Sequence, residues 1–137
     1  MKQHDENIGT VKDLVYHRIE TAKSDINSAE ILLNAGEYRS SNNRAYYGIY
    51  HAISAIHALD GNSYRKHKDA LANFNKQYVK TEIFPRNIGK RIAEAAEIRH
   101  ASDYDDFYIA TKTEAEEQIA TAKELLELVQ MYCSARV

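Results

Sequence analysis

The sequence predicts an all-α fold, an up-and-down bundle of about five helices. Apolar residues recur three and four positions apart along most of the chain, which is the spacing of one helix face, and the alternation typical of strands is absent. The chain holds one proline and five glycines, so few positions interrupt that pattern. Its 137 residues suffice to bury one core. We therefore expect one domain over residues 1–137, with a flexible polar tail at residues 1–9.

The first two predicted helices are separated by a short turn. The first runs from about Val11 to Asn34, Gly36 stops it, and its apolar stripe is Val15, Ile19, Ala22, Ile26, Ala29 and Leu33. The second runs from about Asn42 to Leu59, with Ser40 or Ser41 as the expected N-cap. The segment Asp60-Gly61-Asn62 then breaks the helical pattern.

Three further helices complete the prediction. The third extends from about Lys68 to Val79, and the fourth from about Pro85, a residue suited to a first turn, to about Arg99. An irregular, acidic and aromatic loop follows from about Ala101 to Lys112. The fifth helix is expected to open with the capping-box pair Thr113 and Glu116, and its stripe is Ala115, Ile119, Ala122, Leu126, Val129 and Cys133. Small residues recur in the first and last stripes, which indicates close, shallow-angle packing.

Composition and charge exclude several classes of protein. The single cysteine, Cys133, forms no internal disulfide, and no cysteine pairs suggest a zinc site. The first nine residues contain no apolar signal-peptide core, and no apolar run approaches a membrane span, so we expect a cytoplasmic protein without membrane association. The net charge of −2 argues against general coating of nucleic acid. However, residues 65–91 are mostly basic and residues 94–127 mostly acidic, which indicates either a surface for a polyanion or partner, or simply solvated helix faces.

Arg99 is the most informative residue of the chain. The stripe of the fourth helix runs Ile88, Ile92 and Ala95, and its next step is Arg99. Because burying a charge is costly unless it is paired, Arg99 requires either a carboxylate partner or a functional role. Asp103, four residues on, pairs with it if the helix persists.

The second helix carries a polar, aromatic face beside its apolar one. Arg44, Tyr47 and His51 are spaced three and four apart and therefore share a face, whereas Tyr46, Ile49, Ile53 and Ile56 form the expected core face. We interpret His51 as a hydrogen-bonded structural histidine, and His67 as a surface or structural residue, with phosphate contact as the alternative. His51 and His57 point to different sides of the helix and so do not form a pair of metal ligands, and the sequence has no glycine-rich phosphate loop. We therefore predict no metal site and no cofactor.

Three blocks of the sequence resemble the HEPN domain family. They are Arg44-Ala45-Tyr46-Tyr47-Gly48-Ile49-Tyr50-His51-Ala52, then His67 with Leu71, Phe74 and Val79-Lys80, then Ile98-Arg99 with Asp103-Tyr104-Asp105-Asp106-Phe107. The resemblance implies an all-α homodimer that is often paired with a small nucleotidyltransferase in toxin–antitoxin-like modules. It also implies, for many members, a metal-independent ribonuclease site made of an arginine and a histidine four to six residues later.

This chain departs from that ribonuclease pattern. After Arg99, the positions where the family's histidine would fall hold Tyr104, Asp105 and Asp106, and the adjacent His100 points about 100° away around the helix. Tyrosine is a weak base at neutral pH because its ordinary pKa is near 10, and an ionised Asp103 repels phosphate. The candidate catalytic residues are therefore Arg99, Tyr104, His51 and His67, none of which forms the expected pair.

These observations favour a homodimer that binds nucleotide or RNA phosphate, works with a nucleotidyltransferase partner and carries a degenerate ribonuclease motif. The predicted binding residues are Tyr47, Lys90, Arg91, Arg99, Asp103 and Tyr104. Two alternatives stay open. One is an active ribonuclease toxin that uses Arg99 with His51, His67 or His100, and the other is a structural interaction protein in which Arg99 and Asp103 form a salt bridge.

Overall fold

The computed structural model describes residues 9–137, and the predicted tail lies almost wholly outside them. Within that range the chain forms α1 (Val11–Asn34), α2 (Tyr38–Leu59), α3 (His67–Phe74), a π-helical turn (Asn75–Val79), α4 (Arg86–Tyr104) and α5 (Lys112–Ser134). The described residues contain no strand. The all-α bundle predicted from the periodicity is therefore confirmed.

The bundle is built around α2, which packs against α1, α5 and α4. This central position explains why α2 buries residues on several faces: Ile49 and Ile53 lie on one, Gly48 and Ala55 on a second, and Tyr46 and His57 on a third. Small residues permit the close approach of α1. A Cβ atom added at Gly48 would lie 2.8 Å from Cγ1 of Ile26, so glycine is required for this packing despite its low helix propensity.

The start of α2 differs from the prediction. α2 begins at Tyr38 and not at Asn42, and neither Ser40 nor Ser41 is its N-cap. Ser41 is fully buried and donates its hydroxyl to the backbone oxygen of Ala29 at 2.9 Å. The Ser41 hydroxyl therefore bonds to α1 and does not cap α2, because the packing of the two helices places a buried backbone oxygen beside it.

The later boundaries also shift. The third helix is α-helical only from His67 to Phe74 and continues as the π-helical turn, and α5 begins at Lys112. The hydroxyl of Thr111 accepts the backbone N–H of Glu114 at 3.2 Å, so the predicted Thr113–Glu116 cap is wrong by two residues. Pro85 precedes α4 as its N-cap residue.

α4 extends five residues beyond its predicted end at Arg99. The connection to α5 is consequently short, residues 105–111, and the acidic and aromatic segment begins within the helix. This extension brings Asp103 and Tyr104 one turn beyond Arg99 on the same helix. No helix among residues 9–137 is long and apolar enough to cross a membrane.

Candidate phosphate-binding site

Arg99 follows the buried residues of α4, as the stripe predicts. Ile88, Ile92 and Ala95 are all buried, and the Arg99 side chain is 22% exposed. Its Nε atom lies 3.0 Å from Oδ2 of Asp103 in an ion pair. The amide of Asn43 on α2 donates to the same carboxylate at 3.0 and 3.2 Å. The predicted Arg99–Asp103 pair is therefore present, and α2 helps to hold it.

Aromatic side chains surround the guanidinium group of Arg99. Its Nη2 donates to the hydroxyl of Tyr47 at 3.0 Å. Its Cζ atom lies 5.2 Å from the ring centre of Tyr46, 5.4 Å from that of Tyr47 and 5.9 Å from that of Tyr104. Cations within about 6 Å of an aromatic face are attracted by its quadrupole. Three tyrosines thus hold one permanent cation in place.

A second arginine shares Tyr47 with Arg99. The Cζ atom of Arg44 lies 4.8 Å from the Tyr47 ring centre, and Nη2 of Arg44 is 3.2 Å from Oδ1 of Asp25 on α1. The other oxygen of Asp25 is 2.7 Å from Nδ1 of His51. The polar face predicted from Arg44, Tyr47 and His51 is therefore real, and Asp25 anchors it. We call Arg44, Tyr46, Tyr47 and Arg99 the arginine–tyrosine site.

His67 joins this site from the start of α3. Its Nδ1 is hydrogen-bonded to the hydroxyl of Tyr46 at 3.0 Å, and its ring stacks on Tyr50 at a centre distance of 3.7 Å. Burial lowers the pKa of His67 below its ordinary value, and the charges of Arg99 and His51 lower it further. His67 is thus a neutral imidazole near neutral pH, next to the arginine–tyrosine site.

The tyrosine at the centre of this arrangement is not a titrating group at neutral pH. Burial raises the pKa of Tyr46 to about 12, although the nearby Arg99 partly opposes that shift. Its hydroxyl therefore keeps its proton and serves as a hydrogen-bonding group for His67. Tyr104, in contrast, is 65% exposed and lies at the solvent edge of the site.

The structure separates the two predicted basic residues that are adjacent in sequence. Lys90 lines a groove between α3 and α4, about 600 Å³ in volume, which also reaches Arg99 and His100. Arg91 faces α5 instead, where its guanidinium contacts Glu124 at 2.7 Å and the hydroxyl of Thr121 at 3.2 Å. Tyr47, Asp103 and Tyr104 gather around Arg99, whereas Arg91 is engaged elsewhere.

Asp25, Asn43 and Arg39 are not among the residues predicted from the sequence. Asp25 carried a usable signal: it lies three residues after Ala22 and four before Ala29, hence beside the buried stripe of α1. Arg39 lies on the first turn of α2, before the predicted start of that helix at Asn42, and Asn43 lies on the second turn. Among residues 9–137, no group of three or more His, Cys, Asp or Glu side chains is arranged to hold a metal ion.

Comparison with known proteins identifies relatives over most of the chain. The model of the HEPN domain matches residues 15–132. A "UPF0332 protein" of Thermotoga maritima is 28% identical over 109 residues, which cover 80% of this chain and 83% of the relative. The "Putative toxin MJ0142" of Methanocaldococcus jannaschii is 30% identical over 98 residues, covering 72% of this chain and 67% of the relative.

Two solved structures share the fold. The crystal structure of TT1696 from Thermus thermophilus matches with a TM-score of 0.73 at 20% identity and covers 85% of this chain and 96% of that one. The crystal structure of ST0689, an archaeal HEPN homologue, matches with a TM-score of 0.69 at 19% identity, covering 86% of this chain and 96% of that one. Since the family model spans most of the bundle, including both helices that build the arginine–tyrosine site, this chain belongs to the HEPN domain family.

Proposed function

We propose that the protein is a toxin-like HEPN protein that binds RNA or nucleotide phosphate at the arginine–tyrosine site. In this proposal it acts as a homodimer together with a nucleotidyltransferase partner. The observation that carries the proposal is the state of Arg99, a partly exposed cation fixed in one place by Tyr47 and two further rings. A fixed guanidinium group presents paired N–H donors that match two phosphate oxygens.

The donors of Arg99 support this role. A guanidinium group has five N–H donors. Among the described residues, Arg99 forms one hydrogen bond, from Nη2 to Tyr47, and its Nε points poorly at Asp103 despite their 3.0 Å separation. Since Nε is buried, the donors of Arg99 that carry no hydrogen bond and could serve a ligand are those on Nη1 and the second one on Nη2.

Neighbouring cations extend the site along a strand of RNA. Arg44 shares the Tyr47 ring with Arg99, and the exposed Arg65 and Lys66 directly precede His67. Phosphate contacts of this kind supply affinity without reading sequence and weaken as salt rises. We therefore expect binding of single-stranded RNA with little sequence preference.

The residues that follow Arg99 on α4 argue against cleavage. The carboxylate of Asp103 occupies the position one turn after Arg99 and already pairs with that arginine. A carboxylate there repels an approaching phosphate, and Tyr104, the next residue, is exposed at the edge of the site. Neither residue is the histidine that the family's ribonuclease pattern uses for proton transfer at the RNA 2′-hydroxyl.

The test compares Arg99→Ala with Arg91→Ala on fluorescein-labelled single-stranded RNA, followed by fluorescence anisotropy at 50 and 150 mM salt. The two variants remove the same charge from the same helix, but Arg91 is committed to Glu124. We expect Arg99→Ala to weaken binding about tenfold, the order of one charged hydrogen-bonding contact, and Arg91→Ala to weaken it much less. Equal weakening by both variants contradicts the proposal.

A thermal melt of the same two variants separates binding from a purely structural role. If Arg99→Ala lowers the melting temperature but leaves RNA affinity unchanged, Arg99 and Asp103 form only a structural pair. Lys90→Ala belongs in the same series because Lys90 and Arg99 line one groove. We expect its effect on RNA affinity to be smaller than that of Arg99→Ala.

A second candidate function is metal-independent RNA cleavage, and the position of His67 favours it. His67 contacts Tyr46 and is neutral near pH 7, which is the form that accepts a proton. His51, oriented by Asp25, packs beside Tyr47 and Tyr50, while His100 is exposed and next to the Tyr104 ring. Cleavage of RNA in EDTA that is lost in His67→Ala and kept in His100→Ala supports this function.

The proposed function also includes a toxin-like role beside a nucleotidyltransferase partner. The "Putative toxin" name of a relative 30% identical supports a toxin-like role. Co-expression with a nucleotidyltransferase encoded beside the gene, followed by affinity purification, tests the partnership. We further propose that residues 1–137 form one domain of a cytoplasmic protein.

A further inference from the structure

The groove between α3 and α4 has an apolar lining that a phosphate ligand alone does not explain. It holds about 600 Å³, and Leu71, Phe74 and Ile92 are among the side chains that line it. Phe74 and Ile92 belong to the buried core, and Leu71 packs against that core. A phosphate group is bound by charge and hydrogen bonds, whereas a pocket of this volume with apolar walls is typical of sites for small organic groups.

The groove is continuous with the arginine–tyrosine site. Tyr46 and Arg99 line the groove and also belong to that site, where the Cζ atom of Arg99 lies 5.2 Å from the Tyr46 ring centre. Ala96, about one turn before Arg99, and Ala93, about one turn further back, line the same side of the groove on α4. Small side chains therefore lead from the guanidinium group into the groove.

The charges around the groove favour an anionic ligand. Its charged or titratable side chains are Lys68, Lys90, Arg99 and His100, and no carboxylate is among the described residues that line it. A basic rim above apolar walls complements a polyanion that carries apolar groups along its length. Single-stranded RNA is such a polymer, because each of its phosphates is linked through a sugar to a flat base.

A polar side chain reaches the groove from the π-helical turn. The amide of Asn75 forms no hydrogen bond with the described residues, whereas the amides of Asn73 and Gln77, two positions to either side, are both engaged. A Cβ atom added at Gly89 would lie 3.0 Å from Oδ1 of Asn75, so the glycine leaves room for this amide beside α4. An amide both donates and accepts, which suits the polar edge of a nucleobase.

We propose that the α3–α4 groove binds the base of a nucleotide whose phosphate is held at Arg99. This inference rests on the proposed function and deepens it, because it adds a base subsite to the phosphate site. The apolar walls cover the faces of the base, and Asn75 contacts its polar edge. Apolar contact and an amide of either polarity accept every base, so the subsite is compatible with RNA binding of little sequence preference.

The experiment compares two fluorescein-labelled RNA pentamers by fluorescence anisotropy. One contains five adenosine nucleotides, and the other is the same ribose–phosphate chain without bases. Both carry the same charge, so the contribution of the phosphates cancels in the ratio of their dissociation constants. We expect the parent to bind the adenosine pentamer roughly tenfold more tightly, which is the order of one base contact.

A matched pair of variants assigns this preference to the groove. Ala93→Leu adds a side chain inside the groove at an exposed position of α4, and Ala120→Leu adds the same side chain at an exposed position of α5 outside it. We expect Ala93→Leu to reduce the preference for the adenosine pentamer roughly fivefold and Ala120→Leu to keep it, with unchanged helical circular dichroism.

Asn75→Ala tests the contact with the edge of the base. We expect it to weaken binding of the adenosine pentamer roughly threefold or more and to leave the abasic pentamer unaffected. Damage to the fold would instead weaken both pentamers alike. A parent that binds the two pentamers equally, or an Ala93→Leu variant that keeps the full preference, overturns the base subsite.

Arg99→Ala distinguishes this inference from the proposed function. We expect it to weaken both pentamers by a similar factor, because both contain the phosphates. If it does so while the parent ignores the bases, the phosphate site stands and the base subsite falls. If the preference depends on Ala93 but Arg99→Ala binds both pentamers like the parent, the base subsite stands and the phosphate site falls. A parent that binds neither pentamer contradicts both.

Discussion

Replacing Asp103 by asparagine tests the competition between an internal carboxylate and a ligand phosphate for Arg99. Asparagine keeps the size of the side chain and an oxygen that can accept from Asn43, which lies 3.0 Å away. It removes the negative charge 3.0 Å from Nε of Arg99. We therefore expect Asp103→Asn to bind RNA more tightly than the parent, in contrast to the usual effect of a change in a binding site.

The magnitude follows from the separation of the two anions. A phosphate on the outer edge of the guanidinium group would lie roughly 7 Å from the Asp103 carboxylate, because the planar group itself separates them. At an effective dielectric constant of about 40, between bulk water and the protein surface, the repulsion is about 1 kcal/mol. Removing it corresponds to roughly fivefold tighter binding at low salt. The lost ion pair costs about 0.3–1 kcal/mol of unfolding free energy, since both side chains remain about a fifth exposed.

The assay is anisotropy of labelled single-stranded RNA at 50 mM salt, with Glu116→Gln as the control for net charge. Glu116 is exposed on α5, so its replacement changes the charge of the protein equally without touching Arg99. We expect tighter binding in Asp103→Asn than in Glu116→Gln, and a smaller difference at 200 mM salt. If both variants gain equally, or Asp103→Asn binds more weakly than the parent, the reasoning is refuted.

Three further perturbations test other parts of the structure. The buried His57 donates Nε2–H to the backbone oxygen of Ala70, and burial lowers its pKa below 6.5. The unfolded chain therefore binds more protons than the folded protein just below pH 6.5, so the free energy of unfolding should fall as the pH drops through that range. Urea titrations of the parent and of His57→Gln test this, and we expect the fall to be less steep in His57→Gln. Gly89→Ala would place a Cβ atom 2.7 Å from a methyl of Val79, and we expect a net loss of about 1 kcal/mol in urea unfolding even though alanine favours helix. Arg39→Ala removes the side chain that donates to the backbone oxygens of Ser102 and Asp105 at the end of α4, so hydrogen exchange at residues 105–108 should accelerate roughly tenfold or more while the core of α2 stays protected.

The helices themselves were predictable because their signals are local. The stripes of α1 and α5 recur over many turns, and their alanines and branched residues are buried where the periodicity predicts. Helix ends were less predictable. Ser40 and Ser41 are predicted as caps from the local preference of serine for helix ends. In the structure the Ser41 hydroxyl bonds instead to the buried backbone oxygen of Ala29 on α1, a contact that the local sequence does not predict.

In the candidate site, too, contacts within one helix were predictable and contacts between helices were not. Arg99 stood out in the sequence because it continues a buried stripe, and its partner Asp103 follows from helical spacing alone. Tyr104 also follows Arg99 by helical spacing, whereas only the tertiary fold brings Tyr46 and Tyr47 of α2 against the guanidinium group. Asp25 on α1 contacts Arg44 and His51 on α2. These residues are too far apart in the sequence for a local pattern to predict the contacts.

The sequence by itself determined the helical fold, the buried stripes and the unusual arginine at the end of one of them, because each depends on residues three or four positions apart. Only the tertiary structure decided which charges meet. It brought Arg44, Tyr47 and Arg99 together from two helices and turned Arg91 away towards α5. Interactions between helices depend on how their faces are rotated against each other, and that rotation is fixed by packing of the whole core.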